Sequence, residues 1–421
     1  MLSNKVISGF VGLWFLVAEH MRLGSWDLIK GYTGGNDNGF NPRIAMQIVN
    51  EAALCKNRIR QRNQITNQGF ELLNGMRVLV TDEQVHNLLN AHTVAQAKDF
   101  QENLAKIRLI NGHYKGEVIA IDPHRIITSS KRIMPKKKKQ PTKPSEKMLQ
   151  TFFSLDAQTG QPIVFGIGSS AVKTINATLE LMGSTKVVAN NALVLADKEH
   201  YNEELFRKIS NGKTFELLVP VVSSDKIKKI EKTLTYQYYW PGYYIAETEM
   251  NFAGSQKKYR LIVQREGERH ESYAYKSFLT ISKKPGVELL TERYGERWSI
   301  EEFFKSEGAM GFDRASTFNL NVRYGKMSLA LLAQAAVYQF RHKLPMPYQG
   351  WDALHLSDAM FRGMDGDIRV VDDTIVVTCY NAPIEYQLQK HYQNLPKKLA
   401  AEGIRPKVPW LFDFKLDFKF K

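Results

Sequence analysis

Apolar residues in the first quarter of the chain recur at helical spacing. They do so in Ile44–Leu54 and again in Val85–Ala97, so residues 1–111 read as a mostly helical region. Asp82, between Thr81 and Glu83-Gln84, reads as the cap of the second of these helices. The apolar run Ile7–Glu19 is too short to span a bilayer and is followed by no clean small-x-small cleavage site, so it is read as a buried helix. Nothing else approaches 18 apolar residues, and no transmembrane segment is expected.

The period then changes. Glu117–Asp122 is a short β-branched apolar run, and it ends in an acid followed by Pro123. A residue before proline is pushed to extended geometry, so the reading is a buried strand with Asp122 at its end. Thr151–Leu155 and Gln161–Gly166 read as strands joined by the turn Asp156–Gly160, which makes Asp156 a turn residue. A helix over Ala171–Met182 follows, then a second buried strand ending in an acid, Ala192–Asp197. Next come a helix over Tyr201–Ser210 and a strand over Thr214–Val219.

This order is that of a ribonuclease-H-like fold, an α/β mixed sheet with flanking helices. Its first and fourth strands are neighbours, so Asp122 and Asp197 are expected at one edge. Within 221–290, Tyr236–Trp240, Tyr243–Thr248, Tyr259–Gln264 and Tyr273–Ile281 alternate with aromatic and β-branched residues, a β-rich insertion. A helix entered at Ser299 and another over Asn321–His342 complete the core. The expected organisation is a helical N-terminal DNA-binding region (1–111), a catalytic domain (112–220 and 291–345), the insertion (221–290) and a C-terminal α/β module (346–421). That module, read as a dimerisation or DNA contact, holds the hairpin Ile368–Thr378, a helix over Tyr386–Ala401 and the aromatic run Trp410–Phe420.

Charge narrows the partners. The formal net charge is +15 and the isoelectric point about 9.5, which points to a polyanion, nucleic acid before membrane. Lys56, Arg58, Arg60 and Arg62 alternate in one helix or helix end, and Pro135–Lys147 is a proline-punctuated loop carrying Lys136, Lys137 and Lys138. Each is a solvated basic face or a phosphate contact. The two cysteines, Cys55 and Cys379, form no CxxC and no Cys/His cluster, so neither a disulfide framework nor a structural zinc site is readable.

The candidate chemistry converges on Tyr294–Lys305. Tyr294, Arg297, Glu301 and Lys305 are spaced by three, four and four residues, which on a continuous helix puts them on one face. The bland reading is a set of surface ion pairs. Ser299 with Glu302 also forms a capping box, which would start the helix at Ile300 and leave Tyr294 and Arg297 on its approach. Three carboxylates, Asp122, Asp197 and Glu301, are candidates for one cluster, which needs a counter-charge to stay ionised. Magnesium or manganese supplies it, and two such ions about 3.5–4 Å apart suit phosphodiester displacement. Arg297 and Lys305 then bind phosphates, and Tyr294 stacks on a base or bonds a phosphate. Trp298 does either or joins the core, the core reading being preferred.

Tyr294-x2-Arg297-x3-Glu301-x3-Lys305 resembles the Tyr-Arg-Glu-Lys signature of bacterial insertion-sequence transposases of the DDE type. Ile-Ala-Ile-Asp122 and Val-Leu-Ala-Asp197-Lys-Glu-His-Tyr resemble that family's two aspartate motifs, over roughly residues 112–345. The family commonly has a second lysine seven residues after the glutamate, where this chain has Gly308, so that phosphate contact would fall to Lys305 or Arg314. The resemblance implies cut-and-paste transposition with Asp122, Asp197 and Glu301 as catalytic metal ligands and two Mg2+ or Mn2+ ions per site. It implies double-stranded DNA as partner, at terminal inverted repeats and target, and a homodimer in the synaptic complex. It also implies a bacterial cytoplasmic, nucleoid-associated protein.

Overall fold

The computed structural model describes residues 5–56, 68–138, 142–314 and 317–421. The basic residues Arg58, Arg60 and Arg62 lie outside the described residues. The chain divides into two compact units: Gly112–Phe303, and a second composed of Met1–Asn111 with Phe304–Lys421.

The first unit is built on a nine-stranded sheet. Its strands are β1 (Val118–Ile127), β2 (Met148–Asp156), β3 (Gln161–Ser169), β4 (Ala192–Ala196), β5 (Phe215–Pro220), β6 (Gln237–Trp240), β7 (Tyr243–Asn251), β8 (Lys258–Glu266) and β9 (Ala274–Thr280). Their order across the sheet is β3-β2-β1-β4-β5-β9-β8-β7-β6. The β1–β4 and β4–β5 pairs are parallel and the remaining pairs antiparallel. The first five strands thus have the ribonuclease-H-like arrangement, a mixed sheet with helices beside it. All of Ala192–Ala196 is buried, the continuous apolar run expected of a strand covered on both faces. The helices are α1 (Thr174–Thr185), α2 (Glu203–Gly212), α3 (Asp225–Thr233) and α4 (Ser299–Glu307), the last running across the unit boundary.

Residues 221–290 are β-rich, and β9 pairs with β5 through Phe278–Pro220, Leu279–Val219 and Thr280–Leu218, so these strands extend the same sheet. Their apolar positions, among them Leu261, Ile262, Val263 and Leu279, are as buried as the rest of the core. One expectation changes here: Asp122 is not at a strand end. β1 continues to Ile127 through Pro123, and it is the parallel pairing with β4 that stops, at Ile121–Ala196. That side of the strand is open from Asp122 onward, the kind of position where a strand tolerates proline.

The second unit joins the two ends of the chain. A 22-residue helix, Leu320–Arg341, packs on Phe40–Ala53 and Val94–Ile110. A four-stranded sheet takes Val6–Ser8, Gly366–Val371, Thr374–Cys379 and Lys415–Phe420 in that order. Phe15 stacks on Phe418 at 4.6 Å between ring centroids, and the hydroxyl of Tyr392 donates to the buried Glu19 at 2.7 Å. Arg22 makes two hydrogen bonds to Glu402, and the indole N–H of Trp410 donates to the Leu73 carbonyl at 3.1 Å. Residues 1–111 and 304–421 therefore share one compact unit.

Local elements of this unit also differ from expectation. Ile7–Glu19 is a short strand and a 3-10 turn before the helix Phe15–Arg22. The helix expected over Val85–Ala97 is two helices. It breaks at His92, and Thr93 caps a second helix, Val94–Ile110, through reciprocal bonds with Gln96. The cap before Val85 is Thr81, whose hydroxyl accepts from Gln84 N–H at 3.2 Å, and Asp82 is the first helical residue. Tyr386–Ala401 splits at Asn394, which has a positive φ of 56°. Among the described residues, no helix is long and apolar enough to cross a membrane.

Candidate active site

Asp122 and Asp197 occupy the next rung beyond the last parallel pair, Ile121–Ala196, so their side chains share a face of the sheet. Asp197 also shapes its own backbone: it precedes the 3-10 turn Lys198–His200 and accepts from Glu199 N–H at 3.0 Å. Glu301 comes to the two aspartates through Arg297. The Arg297 guanidinium bonds Glu301 at 2.9 Å and lies 3.9 Å from Asp122.

The route into α4 resolves the capping question. Leu289–Arg293 is a π turn, Tyr294–Trp298 a 3-10 turn, and Ser299 has helical backbone angles with its hydroxyl unbonded. Ser299 is therefore not a cap. The winding is helical throughout but not one uniform α-helix, and the Arg297–Glu301 spacing of four still brings those side chains together. Ile300 and Phe303 anchor the helix in the core, Phe303 against Phe153 at 5.5 Å.

Electrostatics single out Asp122. Burial, the Asp197 carboxylate and, to a smaller degree, Glu301 push its carboxyl up to about 7, against the pull of Arg297 and His200. Burial works to raise Asp197 as well. Hydrogen bonding and charge from His200, with the Glu199 N–H and Arg297, outweigh it and hold that carboxyl below its ordinary value. The surroundings thus drive two neighbouring acids apart in pKa, a perturbation that marks a candidate functional site.

The other expected residues fall as follows. Tyr294 packs its ring edgewise on Phe278 at 4.8 Å, and burial raises its phenol. Trp298 is 57% exposed under the Arg297 guanidinium, at 5.4 Å, so the core reading is overturned. Its place in the 3-10 turn, before the apolar face of α4 begins, turns the indole outward. Lys305 is exposed one turn beyond Glu301 on the same helix. In the unit containing both chain ends, Arg314 is exposed and 3.9 Å from Asp313. Gly308 there is buried, its carbonyl accepts from the backbone N–H groups of Gly311, Phe312 and Asp313, and a Cβ added to it would meet Asp313 at 3.3 Å. A lysine is thus absent where the chain turns tightly. Lys136 and Lys138 are exposed, and Lys137 is half-buried with its ammonium on the Val172 carbonyl at 3.3 Å.

The structure adds residues that the sequence did not point to. His200 places Nδ1 2.8 Å from Asp197 and Nε2 3.1 Å from the Thr178 hydroxyl on α1. Arg125, three residues beyond Asp122, grips both oxygens of Glu199 with its terminal nitrogens. The only signal for this in the sequence was the run Asp-Lys-Glu-His, with a histidine three residues after the acid.

Among the described residues, no three His, Cys, Asp or Glu side chains form a group able to hold a metal ion as they stand. The donor chemistry nevertheless suits a hard divalent cation. The donors are carboxylates, hard oxygen ligands, and burial together with the nearby Asp197 carboxylate raises Asp122, so a cation held there would be favoured. The third acid, Glu301, is bonded to Arg297.

Comparison with known proteins follows this geometry. The family described as "Transposase DDE domain" matches residues 113–335, just over half of the chain. No curated protein matches. Among solved structures, a cryo-EM structure of the piggyBac transposase synaptic complex with hairpin DNA is similar over 85% of this chain and 82% of that one, at 11% identity and a TM-score of 0.38.

Proposed function

This chain belongs to the DDE transposase family, whose members cleave DNA and transfer strands, and from that premise we propose that it moves an insertion sequence by cut-and-paste transposition. The observation that carries the reading is Asp122 beside Asp197 at the end of the parallel pairing, with Glu301 linked to Asp122 through Arg297.

In this reading Asp122, Asp197 and Glu301 hold magnesium or manganese, two ions per site. Bound there, the ions supply Lewis-acid polarisation of the phosphodiester and a nucleophile at neutral pH. Burial and the neighbouring Asp197 carboxylate, which raise the Asp122 carboxyl, are a charge burden that bound cations would relieve. Arg297 leaves Glu301 and forks onto a phosphate beside the scissile bond, joined by Lys305 as a point charge. Tyr294 and the exposed Trp298 flank that phosphate, and Lys136, Lys137 and Lys138 follow the backbone further out. Arg314 supplies a phosphate contact in place of the lysine missing at Gly308. The partner is double-stranded DNA, terminal inverted repeats first and target second, held by a homodimer.

A second reading has one observation on its side: with Arg297 on Glu301, the three acids are not a ready ligand set. It makes the chain a transposase-derived DNA-binding protein, or another nuclease on the same fold. Cleavage of terminal-repeat DNA with Mg2+ separates them. Wild type is expected to nick and join, and Asp197→Ala and Glu301→Gln to bind but not cut. Wild type that binds and never cuts favours the derivative, and variants that cut like wild type remove the assigned triad.

A further inference from the structure

The turn that carries Asp197 is fastened on two sides. On one side, Glu199 receives both terminal nitrogens of Arg125 on β1, and the Arg125 Nε also bonds Gln150 on β2 at 3.3 Å. On the other, the His200 ring spans from Asp197 to α1. It is fully buried, and both ring nitrogens are engaged. A carboxylate only accepts, so the Nδ1 facing Asp197 carries a proton and donates it. At the far end, the Thr178 hydroxyl that meets Nε2 is itself set by its bond to the Thr174 carbonyl at 2.8 Å. The ring therefore cannot turn without breaking a bond at each end.

These bonds divide the Asp197 carboxylate. Oδ1 takes two donors, the Glu199 N–H at 3.0 Å and His200 Nδ1 at 2.8 Å. Among the described residues, no hydrogen bond reaches Oδ2. We propose that His200 and Thr178 are positioning residues: they engage Oδ1 so that Asp197 presents the single oxygen Oδ2, in fixed orientation, to a divalent cation. The assignment rests on the reading above that Asp197 is a ligand. It adds that Asp197 binds through one oxygen and that its aim is set from α1, a helix contributing no acid to the site. Hydrogen bonds behind a ligand carboxylate orient it and raise its affinity, and their loss typically weakens metal binding or activity about 10–100-fold.

The test titrates the full-length chain, without DNA, with Mn2+, following binding by calorimetry and fold by circular dichroism. Thr178→Val keeps the side-chain shape and removes only the hydroxyl, Thr178→Ser restores the hydroxyl, and His200→Asn shortens the ring to an amide. Thr178→Val and His200→Asn are expected to weaken Mn2+ by about 10–100-fold, and Thr178→Ser by less than about threefold. Terminal-repeat DNA binding should be unchanged in all three, while cleavage falls in step with Mn2+ affinity. If Thr178→Val is folded and binds Mn2+ like wild type, the positioning role is overturned and the proposed reaction stands. A wild type that binds no Mn2+ overturns the metal reading and this one with it.

Discussion

Removing a carboxylate that the reaction needs should make this protein more stable. The perturbation is Asp122→Asn. The carboxyl titrates near 7 in the fold and near its ordinary 3.8 in the unfolded chain. Because the folded value is the higher, the native state holds the proton more tightly. The stability it contributes is complete below about pH 3.8, is lost as the pH rises through 7, and is then gone. At about 1.4 kcal/mol for each tenfold difference, full ionisation costs about 4 kcal/mol, and the partial exposure of the side chain brings the expectation to about 2–4 kcal/mol. Asparagine keeps the shape without the charge. In buffer with EDTA at pH 8, urea denaturation should show Asp122→Asn more stable than wild type by that amount. At pH 5 the difference should shrink by about 2 kcal/mol, since wild type is by then mostly protonated. Adding Mn2+ at pH 8 should stabilise wild type by mass action and leave the variant unmoved. If the variant is no more stable than wild type at pH 8, or its advantage does not depend on pH, then Asp122 is not held against its charge and the electrostatic account of the site falls with it.

Three further outcomes follow from other parts of the molecule. Asp156 is fully buried and accepts from the backbone N–H groups of Lys115, Gly116 and Thr159 and from the Thr159 hydroxyl, so Asp156→Ala, which orphans them, should cost about 3 kcal/mol or more in urea denaturation; a loss under about 1 kcal/mol refutes this. Burial lowers the His20 imidazole to about 3, so the unfolded chain takes the proton first: stability is complete above 6.5 and falls with pH toward 3, by about 2 kcal/mol at pH 5. His20→Gln should remove that loss between pH 7 and 5, and an equal loss in both proteins counts against it. DNA binding should weaken steeply with salt, and Lys136→Ala with Lys138→Ala should lower the slope of log affinity against log salt by about 1–2; an unchanged slope takes that loop out of the interface.

What the sequence made legible was what local patterning determines. The apolar run before each aspartate fixed β1 and β4, and the order of elements fixed their adjacency. The spacing of Arg297 and Glu301 was enough to pair them even though the backbone between runs from 3-10 to α winding. The misses come from non-local competition. Ser299 has the composition of a cap, but an upstream helical segment leads into it and leaves its hydroxyl unused. Trp298 was assigned by its apolar bulk, whereas its exposure depends on where α4 begins to face the core. Strands within 221–290 advertise themselves by alternation, but their joining of the main sheet is decided by three pairs between β9 and β5, about 60 residues apart, which no local pattern encodes. The His200–Thr178 bond is of the same kind, two ordinary side chains brought together from separate elements.

The unit that holds both chain ends sets an order of events during synthesis. Gly112–Phe303 is continuous and can close its core as soon as it leaves the ribosome. The first 111 residues cannot: Phe15 waits for Phe418, Glu19 for Tyr392, and Leu73 for Trp410. At about 5–20 residues per second, the intervening unit alone delays them by roughly 10–40 s. For that interval a helical segment rich in buried aromatic side chains stands open to chaperones, to proteases and to neighbouring nascent copies. The yield of this protein in a cell should therefore depend on translation speed across residues 112–303.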